Sequence, residues 1–174
     1  MVQSVELLLD DAADSAVRRQ WQLLAYAGLP SQQAHTAPSN RPHITLTVHD
    51  RLTPELDAAL DTSFRFAGIP IQLGAVVIFG GRTATLARLV IPSRALLSVH
   101  ADVTEILGPG LPHLEPDRWT PHVTLARRLL PEQVGTAIGL LLGAPDIDGR
   151  STAVRRWDGD NRVERLVAWE ESAG

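Results

Sequence analysis

A chain of 174 residues is long enough to bury one hydrophobic core, and without cysteine it can form neither disulfides nor cysteine-ligated metal sites. The formal net charge of −4 argues against a protein that coats long nucleic acid through a broad basic surface. All 16 basic residues are arginine, which excludes lysine chemistry such as a Schiff base or a P-loop.

The first forty residues predict a strand, a helix and a polar loop. Residues 2–9 favour a strand, and residues 11–27 favour a helix with acidic residues in its first turn. Gly28 ends this helix, and residues 31–40 form the loop. The apolar stripe of the helix consists of Val17, Trp21, Leu23 and Leu24.

Residues 41–50 alternate between polar and apolar side chains, as a half-buried strand does. The polar face is formed by His43, Thr45, Thr47 and His49. The apolar face is formed by Ile44, Leu46 and Val48. This strand therefore presents one polar face and one face that packs on the core.

The middle of the chain predicts a helix, a hairpin and a further helix. A threonine cap and a first-turn proline begin a helix over residues 54–63. Two β-rich runs, residues 69–79 and 83–91, flank a pair of glycines and predict a hairpin. Ser93 caps a helix over residues 94–107. Its buried side is expected to comprise Leu96, Leu97, His100, Val103 and Leu107.

The second half opens with a strand over residues 118–130 and a helix that starts at Pro131 and ends near Gly143. Residues 151–157 and 162–170 predict a final hairpin around an Asp-Gly-Asp-Asn turn. Because hairpins outnumber strict strand–helix alternations, we expect an α+β fold with antiparallel sheets.

The most informative feature is a repeated pentapeptide, Pro-His-Ile-Thr-Leu at residues 42–46 and Pro-His-Val-Thr-Leu at residues 121–125. Strand alternation places each histidine on the same face as the threonine two residues later. Two such strands, side by side, present two imidazoles and two hydroxyls to one cleft. One imidazole can take a proton from water while the other gives a proton to a leaving ribose oxygen, and the hydroxyls can donate to phosphate oxygens. This chemistry requires no cofactor.

The two H-x-T motifs, His43-Ile44-Thr45 and His122-Val123-Thr124, resemble those of the 2H phosphoesterase superfamily. Within it, the sequence is similar to bacterial 2′-5′ RNA ligase-like proteins, or RNA 2′,3′-cyclic phosphodiesterases. The resemblance implies one domain over residues 1–174, with a bilobal, pseudo-twofold α+β fold. Two intertwined lobes would place two antiparallel sheets around a central groove, with helices outside.

The resemblance also implies an activity, which is hydrolysis of 2′,3′-cyclic phosphates in RNA processing. The catalytic residues it implies are His43, Thr45, His122 and Thr124. Their implied roles are a base for His122 and an acid for His43, with both threonines as donors to the phosphate.

An arginine often follows the second threonine by three residues in this family, and Arg127 occupies that place as a candidate substrate-binding residue. Simple alternation instead turns Arg127 away from His122 and favours Arg128. The strand must therefore end or bulge here if Arg127 is to reach the substrate.

Two aromatic residues are candidates for stacking on a nucleobase, because an aromatic face accepts any base. They are Phe79, in the predicted hairpin, and Trp119, just before the second motif. The chain has few aromatic residues, and core packing is the alternative role for both.

Four histidines fall outside the motifs. His49 is expected at a solvated strand end, although it and Thr47 share the polar face of their strand. His100 lies on an apolar helix face and is expected in the core or at an interface. His35 and His113 lie in loops, and the sequence assigns no role to either.

The expected partners are RNA ends with a 2′,3′-cyclic phosphate or small cyclic nucleotides. The acidic balance of charge keeps open a phosphodiesterase for another small metabolite, such as a cyclic phosphate of ADP-ribose. A non-catalytic module that binds nucleotides or RNA ends is a further hypothesis. A metalloenzyme with His43, His49 and His122 as ligands is another, but the sequence lacks acidic ligands beside the motifs and any familiar zinc spacing.

The apolar stretches are too short for a signal peptide or a membrane span. We therefore expect a cytoplasmic protein with no membrane partner. The sequence leaves the oligomeric state open, and a monomer is the simplest expectation.

Overall fold

The computed structural model describes residues 2–169, and within that range the chain forms seven β-strands and four α-helices. The strands are β1 (Gln3–Leu9), β2 (His43–His49), β3 (Ile69–Phe79), β4 (Ala84–Val90), β5 (His122–Leu129), β6 (Ile147–Asp158) and β7 (Val163–Trp169). The helices are α1 (Asp11–Tyr26), α2 (Pro54–Ser63), α3 (Arg94–Leu107) and α4 (Pro131–Leu141), with 3₁₀ turns at Gln32–Ala34 and Pro112–Leu114. The predicted elements are all present, although β6 begins earlier than expected. Glu170, the last residue of the predicted final strand, lies outside the described range.

Side-chain caps explain where three of the helices begin. In each, the cap oxygen accepts a hydrogen bond from a first-turn backbone N–H that has no partner within the helix. The caps and their donors are Asp10 with Ala13, Thr53 with Leu56, and Ser93 with Leu96. A cap of this kind contributes about 1 kcal/mol to stability. None of the helices in residues 2–169 is long and apolar enough to cross a membrane.

Two leucines that were predicted on buried helix faces are exposed instead. Leu23 of α1 is 39% exposed and Leu97 of α3 is 47% exposed. Each is adjacent to a fully buried leucine, Leu24 or Leu96. Consecutive helical residues project about 100° apart, so both members of such a pair cannot face a narrow core.

The strands form one antiparallel sheet in the order β2-β1-β6-β3-β4-β5, and β7 pairs with β6. The chain order β-α-β-α-β occurs twice, first as β1-α1-β2-α2-β3 and then as β4-α3-β5-α4-β6. The third strand of each repeat lies beside the first strand of the other repeat. Pairing of residues 69–73 with residues 147–151 joins the two halves. The expected α+β antiparallel fold is confirmed, and the pairing of β3 with β6 joins the two expected sheets into one.

The strands that carry the motifs, β2 and β5, lie at opposite ends of the strand order, yet they contact each other. Each contributes a fully buried leucine, Leu46 or Leu125, to the hydrophobic core. Burying a leucine side chain contributes about 1.5–3 kcal/mol. Core packing therefore holds both motif backbones in place while their other faces remain available.

Candidate active site

Each H-x-T motif lies in a strand that bulges directly after its threonine. In β2 the pairing with β1 shifts by one residue between Thr45 and Thr47, which leaves Leu46 as the extra residue. In β5 the pairing with β4 shifts in the same way after Thr124, at Leu125. The two motifs are therefore alike in backbone form as well as in sequence.

After the bulge in β2, each remaining residue of the strand lies on the face opposite to the one that simple alternation predicts. Thr47 pairs with Val5 on the core face and is 2% exposed, and its hydroxyl lies 3.1 Å from Nε2 of His49. Val48, predicted to pack on the core, lines the same cavity as His43. The prediction that Thr47 and His49 share the face of His43 is therefore wrong, because alternation does not continue across an extra residue.

A second irregularity in β5 concerns the two consecutive arginines. Between Ala126 and Leu129, β5 contains one more residue than the paired stretch of β4. Arg128 in this bulge has a left-handed backbone, with φ of 62°. Arg127 lines the same cavity as His122. The earlier bulge at Leu125 returns Arg127 to this side, as the sequence required for Arg127 to reach the substrate.

The two motif histidines make the same hydrogen bond. Nδ1 of His43 lies 2.6 Å from the carbonyl oxygen of Arg41, and Nδ1 of His122 lies 2.8 Å from that of Thr120. A carbonyl oxygen only accepts, so Nδ1 carries the hydrogen in both rings. In both histidines this leaves Nε2 as the atom that can exchange a proton with a ligand.

The two motif threonines are held by the same kind of donor. The indole N–H of Trp119 donates to the carbonyl oxygen of Thr45 at 3.0 Å. The indole N–H of Trp21 donates to the carbonyl oxygen of Thr124, also at 3.0 Å. Because each indole comes from outside the motif strand it contacts, these bonds lock the motif backbones to the rest of the fold.

Trp119, for which the sequence left base stacking or core packing open, contacts another aromatic ring of the protein. Its ring stacks on His100, with centroids 4.0 Å apart and an interplanar angle of 6°. His100 is 3% exposed, and its Nε2 lies 2.8 Å from the carbonyl oxygen of Leu114. One face of Trp119 is thus covered, and His100 is a core histidine as expected.

Two adjoining cavities contain the motif side chains. The first, the His43 cavity, has a volume of about 460 Å³, and its walls include Glu6, His35, Asn40, His43, Thr45 and Arg155. The second, the His122 cavity, has a volume of about 480 Å³, and its walls include Phe79, His113, Arg118, His122 and Thr124. Arg127 lines both cavities, so they meet at its side chain.

The cavity walls contain residues to which the sequence assigned a role and others to which it assigned none. Phe79 lies beside His122, with ring centroids 4.5 Å apart. His35 and His113, assigned no role, line the His43 and His122 cavities respectively. Each lies at a 3₁₀ turn that precedes a motif. Their similar spacing from the motif histidines was the one available signal in the sequence.

A buried carboxylate, Glu6 of β1, lies beside the first histidine. Its Oε1 is 3.7 Å from Nε2 of His43, and it accepts hydrogen bonds of 2.7 Å from Ser4 Oγ and from Arg155 Nε. Burial acts to raise the pKa of Glu6, but the charges of His43 and Arg155 and these hydrogen bonds outweigh burial and lower the pKa. Glu6 is therefore ionised at neutral pH.

The second histidine has the opposite electrostatic surroundings. Burial is the largest influence on the His122 imidazole and lowers its pKa. The positive charges of Arg127, His43 and His113 lower the pKa further, while the hydrogen bond to the Thr120 carbonyl acts to raise it. His122 is consequently a neutral imidazole at pH 7.

Residues 2–169 contain no group of three or more His, Asp or Glu side chains arranged to hold a metal ion. In particular, the hypothetical ligand set of His43, His49 and His122 is not assembled. The bulge in β2 separates His49 from His43, and the ring of His49 lies against Thr47.

Solved structures with this fold span nearly the whole chain. Usb1 from Kluyveromyces marxianus is 11% identical with a TM-score of 0.58, covering 95% of this chain and 97% of that one. A crystal structure of a phosphoesterase is 16% identical with a TM-score of 0.58, covering 94% and 92%. E. coli LigT complexed with 3′-AMP is 16% identical with a TM-score of 0.56, covering 95% and 94%. At these identities the similarity establishes the fold.

Sequence comparison gives the family directly. No curated protein is similar enough in sequence to count as a match. The model of the 2′-5′ RNA ligase superfamily, by contrast, matches residues 10–162, a stretch that includes both H-x-T motifs. The chain therefore belongs to the 2′-5′ RNA ligase superfamily, whose members are 2H phosphoesterases.

Proposed function

We propose that this protein is a phosphodiesterase that opens 2′,3′-cyclic phosphates by acid–base catalysis between His43 and His122. The observation that carries the proposal is the equivalence of the two motifs. In each, a backbone carbonyl holds Nδ1–H and leaves Nε2 for the ligand, and a tryptophan holds the threonine carbonyl. Two matched proton-transfer groups in adjoining cavities suit a reaction that takes one proton and gives one.

In the proposed reaction, water attacks phosphorus while His122 Nε2 takes one of its protons. The bond between phosphorus and one ribose oxygen breaks, and that oxygen receives a proton from His43. The product is a phosphomonoester, and the two histidines have exchanged protonation states. Thr45 and Thr124 donate to the non-bridging oxygens as negative charge builds on them, and Arg127 binds the phosphate.

The proposed substrates are RNA ends with a cyclic phosphate, or small cyclic nucleotides. Among proteins with this fold, LigT has been solved with 3′-AMP and Usb1 with uridine monophosphate. The His122 cavity offers Phe79 as a stacking surface for a base and Arg118 and Arg127 as cations for phosphate. A second candidate, a cyclic phosphodiesterase for an ADP-ribose derivative, is favoured by the structure of LigT with NADP⁺.

The test is turnover of a nucleoside 2′,3′-cyclic phosphate by purified protein with EDTA present. We expect His43→Ala and His122→Ala each to lower turnover by about 10²–10⁴-fold, because each removes a proton-transfer group. His49→Ala is the matched control, since His49 shares the strand of His43 but faces away from its cavity, and it should keep turnover.

Each outcome of this experiment has a distinct meaning. Full turnover by either motif variant, or loss of wild-type turnover in EDTA, contradicts the two-histidine mechanism. Absence of turnover together with tight binding of 2′- or 3′-nucleotides would favour a non-catalytic module. Resolution of 2′- from 3′-phosphate products identifies the ribose oxygen that leaves, and comparison with an ADP-ribose cyclic phosphate distinguishes the two substrate classes.

A further inference from the structure

The two motifs are equivalent in almost every local feature, so the places where they differ decide how the two histidines differ. The position opposite the motif threonine on the neighbouring strand is one such place. Thr45 pairs with Glu6 of β1, whereas Thr124 pairs with Ala87 of β4. Because β1 and β4 are equivalent strands of the two repeats, a carboxylate in one half stands where the other half has a methyl group.

A second difference lies three residues after each threonine. Val48 occupies this position in the first motif and Arg127 in the second, and both side chains reach the cavity walls because both strands bulge. Of the described residues that line the His43 cavity, Glu6 is the sole carboxylate. The described walls of the His122 cavity contain no carboxylate and two arginines, Arg118 and Arg127.

Glu6 is fixed in place by buried partners. Arg155, 4% exposed, donates Nε–H to Glu6 at 2.7 Å. Its Nη1 donates to the carbonyl oxygen of Ser39 at 2.8 Å and to Glu164 at 2.5 Å. The other Glu6 oxygen, Oε1, accepts from Ser4 and lies 3.7 Å from Nε2 of His43. Nη2 of Arg155 lies 3.5 Å from Nδ1 of the same ring.

The other charged groups around His43 are few. The titratable and charged side chains that face it are Glu6 from β1, Arg155 from β6, His122 and Arg127 from β5, and His35 from the loop before β2. Arg41 faces away toward α1, where it lies 3.9 Å from Asp14. The cations in this set oppose a proton on His43, and Glu6 is the group that favours one.

We propose that Glu6 is the positioning residue that makes the two equivalent histidines unequal, by holding the proton on His43 and leaving His122 as the base. This inference rests on the proposed function, in which one histidine must start protonated and the other neutral. Glu6 lies 3.7 Å from Nε2 of His43, beyond hydrogen-bond distance, and acts on that imidazole rather than on the phosphate. One carboxylate in the sheet, rather than the motifs themselves, thereby decides which histidine acts as the acid and which as the base.

The direct test is a histidine NMR titration of the wild-type protein, Glu6→Gln and Glu164→Gln. Glutamine keeps the shape of Glu6 and can still accept from Arg155. We expect Glu6→Gln to lower the fraction of protonated His43 at a given pH, because the carboxylate charge 3.7 Å from Nε2 is removed. Glu164→Gln also removes a carboxylate from Arg155, but not one beside His43, and it should leave this fraction unchanged.

The second readout is the pH dependence of kcat/KM for the cyclic phosphate. The limb at high pH reports deprotonation of the acid, and the limb at low pH reports protonation of the base. Glu6→Gln should move the high-pH limb to lower pH and leave the low-pH limb in place. A merely structural role for Glu6 would lower the whole profile without moving either limb.

An unchanged protonated fraction of His43 in Glu6→Gln, or an equal change in Glu164→Gln, overturns the inference. The NMR titration needs no turnover, so it still tests Glu6 if the cyclic phosphate proves not to be a substrate. Conversely, loss of activity in His43→Ala with no effect of Glu6→Gln on either readout supports the proposed function and rejects the role of Glu6.

Discussion

The threonine of each H-x-T motif has two polar groups with separate tasks. The backbone carbonyl accepts the indole N–H of a tryptophan, Trp119 for Thr45 and Trp21 for Thr124. No hydrogen bond within residues 2–169 engages either hydroxyl, so both hydroxyls are available to a ligand in the cavities they line. The fold thus fixes the backbone of the motif and leaves the threonine hydroxyl available to a ligand.

We therefore expect Thr45→Val and Thr124→Val to lower kcat by about 10²-fold each, as for the loss of one donor to a developing negative charge. Valine preserves the branched shape and the buried packing, so the melting temperature should change little. The control is Thr47→Val, since Thr47 lies on the same strand as Thr45 but faces the core. Equal losses for all three variants in steady-state kinetics would contradict the assignment of the hydroxyls.

At the scale of residues, the sequence pointed to the histidines of the repeated motif. It gave no indication of contacts between residues that lie far apart in the chain. His43 and His122 were found because the same pentapeptide occurs twice. Glu6 and Arg155 are separated by 149 positions and belong to no local pattern, so only the pairing of β1 with β6 brings them together. Trp119 was given two alternative roles, and its stacking on His100 could not be predicted without the fold.

At the scale of elements, the bulges determine which side chains reach the cavities. An extra residue after each threonine lets two consecutive residues, Leu46 and Thr47 or Leu125 and Ala126, stay on the core side of the strand. The residue three positions after the threonine then returns to the cavity side, as Val48 and Arg127 both do. Alternation alone would have placed these two side chains on the opposite face.

This geometry predicts different outcomes for the two consecutive arginines of β5. Arg127→Gln should lower kcat/KM by about tenfold or more, because it removes a charged donor to the phosphate. Arg128→Gln should keep kcat/KM, since Arg128 is exposed and absent from the described walls of both cavities. The reverse order of effects in a kinetic comparison would mean that β5 does not bulge as described.

The helices and strands themselves were predictable because their signals are local. Asp10, Thr53 and Ser93 act as caps through bonds within one turn of chain. Bulges and the early start of β6 depend instead on the neighbouring strand, and the sequence gives no local mark for them. For that reason Thr47 and His49 were assigned to the wrong face while their strand was assigned correctly.

At the scale of the whole molecule, several buried groups favour the deprotonated form. Burial lowers the pKa of His49, His100 and His122 below the ordinary value of 6.5. Glu6, despite its burial, also has a lowered pKa because of its charged partners. In each case the unfolded chain binds protons more readily than the folded chain, so stability rises with pH.

We expect the free energy of unfolding, measured in urea, to be at its maximum above about pH 6.5. It should fall as the pH is lowered through the folded-state pKa values of these histidines. A further fall should follow below pH 4.5, as Glu6 takes a proton. His100→Gln should make the first fall shallower, because the glutamine amide stays neutral and has no protonated form for burial to destabilise. His35→Gln, which replaces an exposed histidine, is the control substitution. If His100→Gln loses stability with pH as steeply as the wild type, burial of His100 is not the cause.

The third strand of each repeat pairs with the first strand of the other repeat, and this pairing has a consequence for synthesis on the ribosome. Arg155 leaves the exit tunnel 149 residues after its partner Glu6. Until β6 emerges, β1 can pair with β2 but has an ionic group on its surface with no counter-ion. During that interval water can solvate the Glu6 carboxylate, and the His43 cavity gains its Arg155 wall only after β6 has paired with β1.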